Sequence, residues 1–145
     1  MPYDPLLVQP MREELTRAGF EELHTPEQVD AALTKSGVSL LVVNSVCGCA
    51  AGSMRPGVVN SLDNEKKPDH LVTVFAGQDT EATQYVRDTY LAGQPPSSPS
   101  IALFNNGTLI GMIHRYQIEG RFPEAISQAL KGAYDEFCVP TADAV

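Results

Sequence analysis

Residues 38–49 read Val38-Ser39-Leu40-Leu41-Val42-Val43-Asn44-Ser45-Val46-Cys47-Gly48-Cys49. The first seven form a nearly unbroken β-prone run, the pattern of a strand covered on both faces. Two cysteines separated by one glycine follow at once. From Ala50 the chain turns small and helix-forming, and Pro56 then removes a backbone donor, so a kink or a stop is predicted there. Val58, Val59 and Leu62 are spaced to prolong the helix beyond it.

On the N-terminal side, Gln9-Pro10 with Met11, Leu15 and Ala18 predicts a short helix opening at the proline and ending at Gly19. Thr25-Pro26-Glu27-Gln28 predicts a second, with Thr25 as cap and Gln28 completing a capping box. Val29, Ala32 and Leu33 face the core, and Gly37 ends that helix. On the C-terminal side, Asp63 to Asp69 is a charged loop and Leu71 to Ala76 a strand. Asp79 caps a helix through Tyr90 that ends near Gly93. Gln94 to Pro99 is irregular. Ile101 to Phe104, a turn at Asn106-Gly107 and Leu109 to His114 make an antiparallel hairpin. The last helix runs from about Phe122 to Phe137, with Phe122, Ile126, Ala129, Leu130, Ala133 and Phe137 on one face. Two right-handed crossovers make the first strands parallel, and the hairpin joins the same sheet. The reading is an α/β fold: one domain over residues 1–145, a central mixed sheet with helices on both faces.

The chain has 145 residues, enough for one core without disulfide staples, and a formal net charge of −8. That charge argues against nucleic acid and anionic membranes as partners. The start at Met1-Pro2 has no basic flank or apolar stretch, and no run approaches the ~18 apolar residues of a membrane span, so a reducing cytoplasm is expected. Three cysteines is an odd number, and Cys47 and Cys49 are too close to close a structural loop. A thiol between a strand's end and a helix's first turn meets unpaired backbone donors and the positive end of the helix dipole. Both favour thiolate, the attacking species in exchange. A bridge between Cys47 and Cys49 demands a bent backbone, because an extended pair holds its Cα atoms about 7 Å apart; Gly48 permits the bend. Residual strain would make such a bridge easy to reduce. Two other accounts fit the same pair: small cysteines filling space beside a strand, or thiolates that hold a soft metal or carry sulfur without catalysis. No histidine, nor Cys138, lies at recognisable ligand spacing, so no metal is assigned.

Pro99 immediately precedes the Ile101 strand, and Pro99 to Gly107 has the shape of a thioredoxin segment. Val43 to Gly52, Arg55-Pro56, Phe75 to Asp79 and Pro96 to Ser100, together with Pro10-Met11-Arg12 and Glu119-Gly120, are similar to the bacilliredoxin family in the same order over nearly the whole chain. The resemblance implies a cytoplasmic thioredoxin-like protein that removes bacillithiol from mixed disulfides on other proteins, with weak disulfide reductase or isomerase activity beside it. It implies Cys47 as nucleophile and Cys49 as resolving thiol. Pro99 would be a cis-proline facing the cysteine, and Gly48, Ser98 and Pro99 would shape the client groove. Its partners would be thiolated clients and a low-molecular-weight thiol, bacillithiol or another, as co-substrate, with no bound cofactor. The chain departs from thioredoxin in having no tryptophan and one residue between its cysteines. Cys138 reads as a surface thiol or a small buried residue. Arg55 reads either as positive charge near the site or as a solvated helix-face residue. His24, His70 and His114 read as surface or loop residues, with His114-Arg115 at the hairpin's end flagged. Glu13-Glu14 and Glu21-Glu22 read as solvating.

Overall fold

The computed structural model describes residues 3–138. Its elements are α1 (Pro5–Thr16), β1 (Glu21–Glu22), α2 (Pro26–Leu33), β2 (Val38–Asn44), a π-helical turn (Ala50–Met54), α3 (Arg55–Ser61) and β3 (His70–Phe75). They continue with α4 (Thr80–Thr89), β4 (Ser100–Asn105), β5 (Thr108–Ile113), α5 (Arg115–Ile118) and α6 (Pro123–Phe137). The sheet runs β1-β3-β2-β4-β5. β3 is parallel to β1 and β2, whereas β4 is antiparallel to β2 and β5.

All seven residues of β2 are buried, as an apolar run without alternation requires. Side chains alternate across the sheet, so β2 feeds two cores. Leu40 and Val42 pack with Met54, Val58, Ile126, Leu130 and Tyr134 on one face. Leu41 and Val43 pack with Val29, Leu33, Ala82 and Val86 on the other. Helices therefore cover both faces, as read from the sequence.

Pro56 does not end the helix. Its missing N–H is absorbed one turn earlier, where the ladder widens and the Arg55 amide bonds back five residues to the Ala50 carbonyl. The α-helix then runs on to Ser61. At the hairpin turn Asn106 and Gly107 both take positive φ, 52° and 85°, the conformation that a two-residue turn of this dipeptide favours.

Four expectations need correction. α1 begins at Pro5, because Asp4 is a better cap than Gln9: its side chain accepts from the Leu6 amide, and Pro10 lies inside the helix. Asp79 stands at the cap position of α4, but its side chain does not bond the helix; its carboxylate turns back to the Phe75 amide and to Arg12. Phe122 is 77% exposed, since it precedes the proline that opens α6, and the buried face of that helix is Ile126, Ser127, Leu130 and Tyr134. Glu21-Glu22 is a two-residue strand on the edge of β3, too short for any periodicity to betray it.

Candidate thiol site at one end of the sheet

Register brings three loops together. Val43 of β2 pairs with Ser100 of β4, and Ile101 of β4 pairs with Ile113 of β5. The segment after β2 (residues 45–49), the one before β4 (97–99) and the one after β5 (114–115) therefore leave the sheet at the same end. The Ser98-Pro99 peptide bond is cis, in the form the resemblance implies.

Cys47 lies where β2 gives way to helix. Its amide donates to Ser45 Oγ at 3.2 Å, and its carbonyl accepts from the amides of Ala50 and Ala51 at 3.0 and 3.3 Å. Cys47 and Cys49 are free and half-buried, with Gly48 exposed between them. Burial pushes the Cys47 thiol up, but it is outweighed by hydrogen bonds from the Cys49 thiol and from the amides of Ala50 and Cys49, and by the positive charge of Arg115. The net shift is downward. These are the donors expected of a chain entering a helix. For Cys49 burial again raises the pKa, and here the bond and charge shared with Cys47 raise it further, to about 11. The two thiols of the pair are thus shifted in opposite directions, Cys47 down and Cys49 up.

Three basic side chains hold the loops at this end of the sheet in different ways. Arg55 is only 2% exposed; it donates to Asn44 Oδ1 at 2.9 Å and the Ser45 carbonyl at 2.8 Å, and Nε pairs with Glu14. It is neither a solvated residue nor a free charge, but a brace under the loop that carries Cys47. Asn44 Oδ1 also accepts from the Ser45 amide, which tightens the same turn. His114 is buried: Nδ1 lies 3.2 Å from Ser97 Oγ and Nε2 lies 3.1 Å from Gln94 Oε1, so it pins the segment before Pro99. Arg115 is exposed, pairs with Glu119 at 2.6 Å and donates to the Ser98 carbonyl at 3.3 Å. The sequence flags Arg115 only weakly; its signal is position alone, as the second residue after β5.

Cys138 is buried at the end of α6 in the core cluster of that face. Burial, followed by the charges of Asp69 and Asp135, pushes its thiol up to about 11. It belongs with the small buried residues, apart from the pair. Glu22 is not merely solvating, because it joins Asp79 in holding Arg12. Among the described residues no group of three or more His, Cys, Asp or Glu side chains is placed to hold a metal ion, and no helix is long and apolar enough to cross a membrane.

Solved structures share this architecture. Mitochondrial thioredoxin 3 of Saccharomyces cerevisiae superposes with a TM-score of 0.57 at 14% identity, covering 86% of this chain and 99% of that one. A mutant thioredoxin of Halobacterium salinarum gives 0.57 at 15% identity, covering 84% and 93%. Together these define a protein of the thioredoxin fold with two free cysteines at one end of its sheet.

The sequence comparisons narrow the class. The family described as disulphide isomerase matches residues 3–138. A bacilliredoxin of Salinibacter ruber is 54% identical over 144 residues, 98% of this chain and 84% of its own length. One from Halalkalibacterium halodurans is 56% identical over 133 residues, 91% and 92% of the two chains. The chain belongs to the bacilliredoxin family.

Proposed function

We propose that the protein is a cytoplasmic thiol-disulfide oxidoreductase that takes a low-molecular-weight thiol, bacillithiol in hosts that make it, off mixed disulfides on client proteins. The observation that carries this reading is the placement of two free, half-buried cysteines where β2 gives way to helix, at the end of the sheet that also holds the cis Ser98-Pro99 bond; there the Cys47 thiol is drawn down and the Cys49 thiol pushed up. An exchange protein needs one thiolate to attack and one protonated thiol in reserve.

In the first step Cys47 thiolate attacks the small-thiol sulfur. A Cys47–small-thiol disulfide forms, the client's bond to that thiol breaks, and the client sulfur leaves with the electron pair and takes a proton from water. Consumption of the Cys47 thiolate removes the charge that held the Cys49 proton, so Cys49 can ionise. It then attacks Cys47, expels the small thiol and closes the internal disulfide. Two equivalents of a monothiol, leaving as their disulfide, or one dithiol reductase must supply the two electrons that restore the pair. Gly48 allows the bend, and the Ser98-Pro99 segment lines the groove in which the client disulfide is seated.

The test is a client carrying one mixed disulfide, followed by mass. Cys47→Ser should bring release of the client thiol down to background, and an unchanged rate would exclude that residue. Cys49→Ser should accumulate protein bearing one equivalent of the small thiol, and failure to trap it would remove the resolving role. The description of the family as a disulphide isomerase favours a second reading, in which Cys47 alone reshuffles disulfides within a client. Reactivation of a scrambled disulfide protein that survives in the Cys49→Ser variant would support it.

A further inference from the structure

Arg115 opens α5 one residue beyond the end of β5, at the end of the sheet where the thiols lie. Its side chain is 45% exposed. Nε is held by Glu119 Oε1 at 2.6 Å, Nη1 reaches the Ser98 carbonyl at 3.3 Å, and its backbone amide lies 3.5 Å from Ser97 Oγ. A guanidinium carries five N–H donors, and these side-chain contacts use two. The charge of this group acts on both sulfurs of the pair. The residue thus contacts the segment carrying Pro99 at the end of the sheet where the thiols lie, with donors to spare, on a chain whose net charge is −8. Arg12 and Arg55, by contrast, are committed to largely buried partners.

A mixed disulfide seated on Cys47 presents two halves, the client and the small thiol. A planar guanidinium fork matches a carboxylate through two parallel hydrogen bonds. We propose that Arg115 is a specificity-determining residue of the exchange, gripping a carboxylate on the small-thiol half of the mixed disulfide. The inference rests on the exchange reading of Cys47 above and adds the chemical class that the site prefers. Arg115 stays protonated and transfers nothing; the bonds made and broken are those of the first exchange step. Glu119 holds the fork in place and competes with the incoming carboxylate.

The test uses the reduced full-length chain and one single-cysteine client loaded with either mercaptosuccinate, which bears two carboxylates, or 2-mercaptoethanol, which is uncharged. The readout is the ratio of client-thiol release rates for the two loads. Differences in leaving group cancel when a variant's ratio is divided by that of the wild type. Arg115→Gln should lose about fivefold in this ratio, the size expected of one exposed ion pair. Arg115→Lys should keep part of the preference, and Glu119→Gln should increase it. Added salt should shrink the wild-type ratio and leave that of Arg115→Gln in place. Arg115→Gln slowing both loads equally would overturn the inference, since Arg115 would then act only on the thiolate. Cys47→Ser run in parallel separates the two levels: activity surviving in it sinks the exchange reading, whereas a silent Cys47→Ser with an unchanged Arg115→Gln ratio sinks the carboxylate inference alone.

Discussion

Arg55 and Arg115 flank the same loop end and do opposite work. Arg55 is sealed beneath it, its donors bound to Asn44, the Ser45 carbonyl and Glu14. Arg115 stands in solvent with one carboxylate and one long carbonyl contact. Burial decides the difference. A guanidinium taken out of water must have its donors satisfied, and once satisfied it fixes backbone; an exposed one keeps donors and charge available to a ligand. Two arginines near one thiol therefore predict different losses, one of stability and one of chemistry.

The largest effect should come from the buried brace. Arg55→Met leaves Asn44 Oδ1 and the Ser45 carbonyl short of a charged donor and should cost about 2 to 4 kcal/mol, read as a lower denaturant midpoint. A second buried guanidinium contact sharpens the point. Asp79, 7% exposed at its side chain, takes two bonds from Arg12 and one from the Phe75 amide. Burial raises its pKa, but Arg12, His24 and that amide hold it below the ordinary value. Its folded pKa is depressed, so its contribution is present above the unfolded value of about 3.9 and is lost as pH falls through the folded one. Asp79→Asn should cost about 2 to 3 kcal/mol at neutral pH and flatten the loss of stability below about pH 4, as acid titration of the unfolding midpoint would register. The smallest effect belongs to the exposed side. Arg115→Gln should leave the unfolding midpoint in place and move the ionisation of Cys47 upward by a few tenths of a pH unit, on the order expected of an exposed charge. If Arg55→Met moved that ionisation further than Arg115→Gln does, the division of labour would be reversed.

Much of this was legible in the sequence. An apolar run without alternation marks a central strand, and Asn106-Gly107 marks a hairpin, because each depends on local rules. The position of Cys47 at a strand-to-helix junction already placed its sulfur among backbone donors. What escaped depends on partners distant in sequence. Glu21-Glu22 becomes a strand only because the edge of β3 accepts it, and the Asp79 side chain leaves its helix because Arg12 lies across from it. Sequence leaves Arg55 open between a charge near the site and a solvated helix-face residue, because its acceptors belong to the end of β2, the residue after it and α1. Arg115 gains its place from the antiparallel register of β2, β4 and β5, which no spacing along the chain displays.

The asymmetry of the two sulfurs can be measured directly by following thiolate absorbance of the reduced protein against pH. The account predicts one thiolate appearing below the ordinary thiol range and missing in Cys47→Ser, with a second appearing only toward pH 11. In Cys49→Ser the first should move up, because it loses the thiol that donates to it. Two sulfurs ionising together near the ordinary value, or an early thiolate that persists in Cys47→Ser, would contradict it.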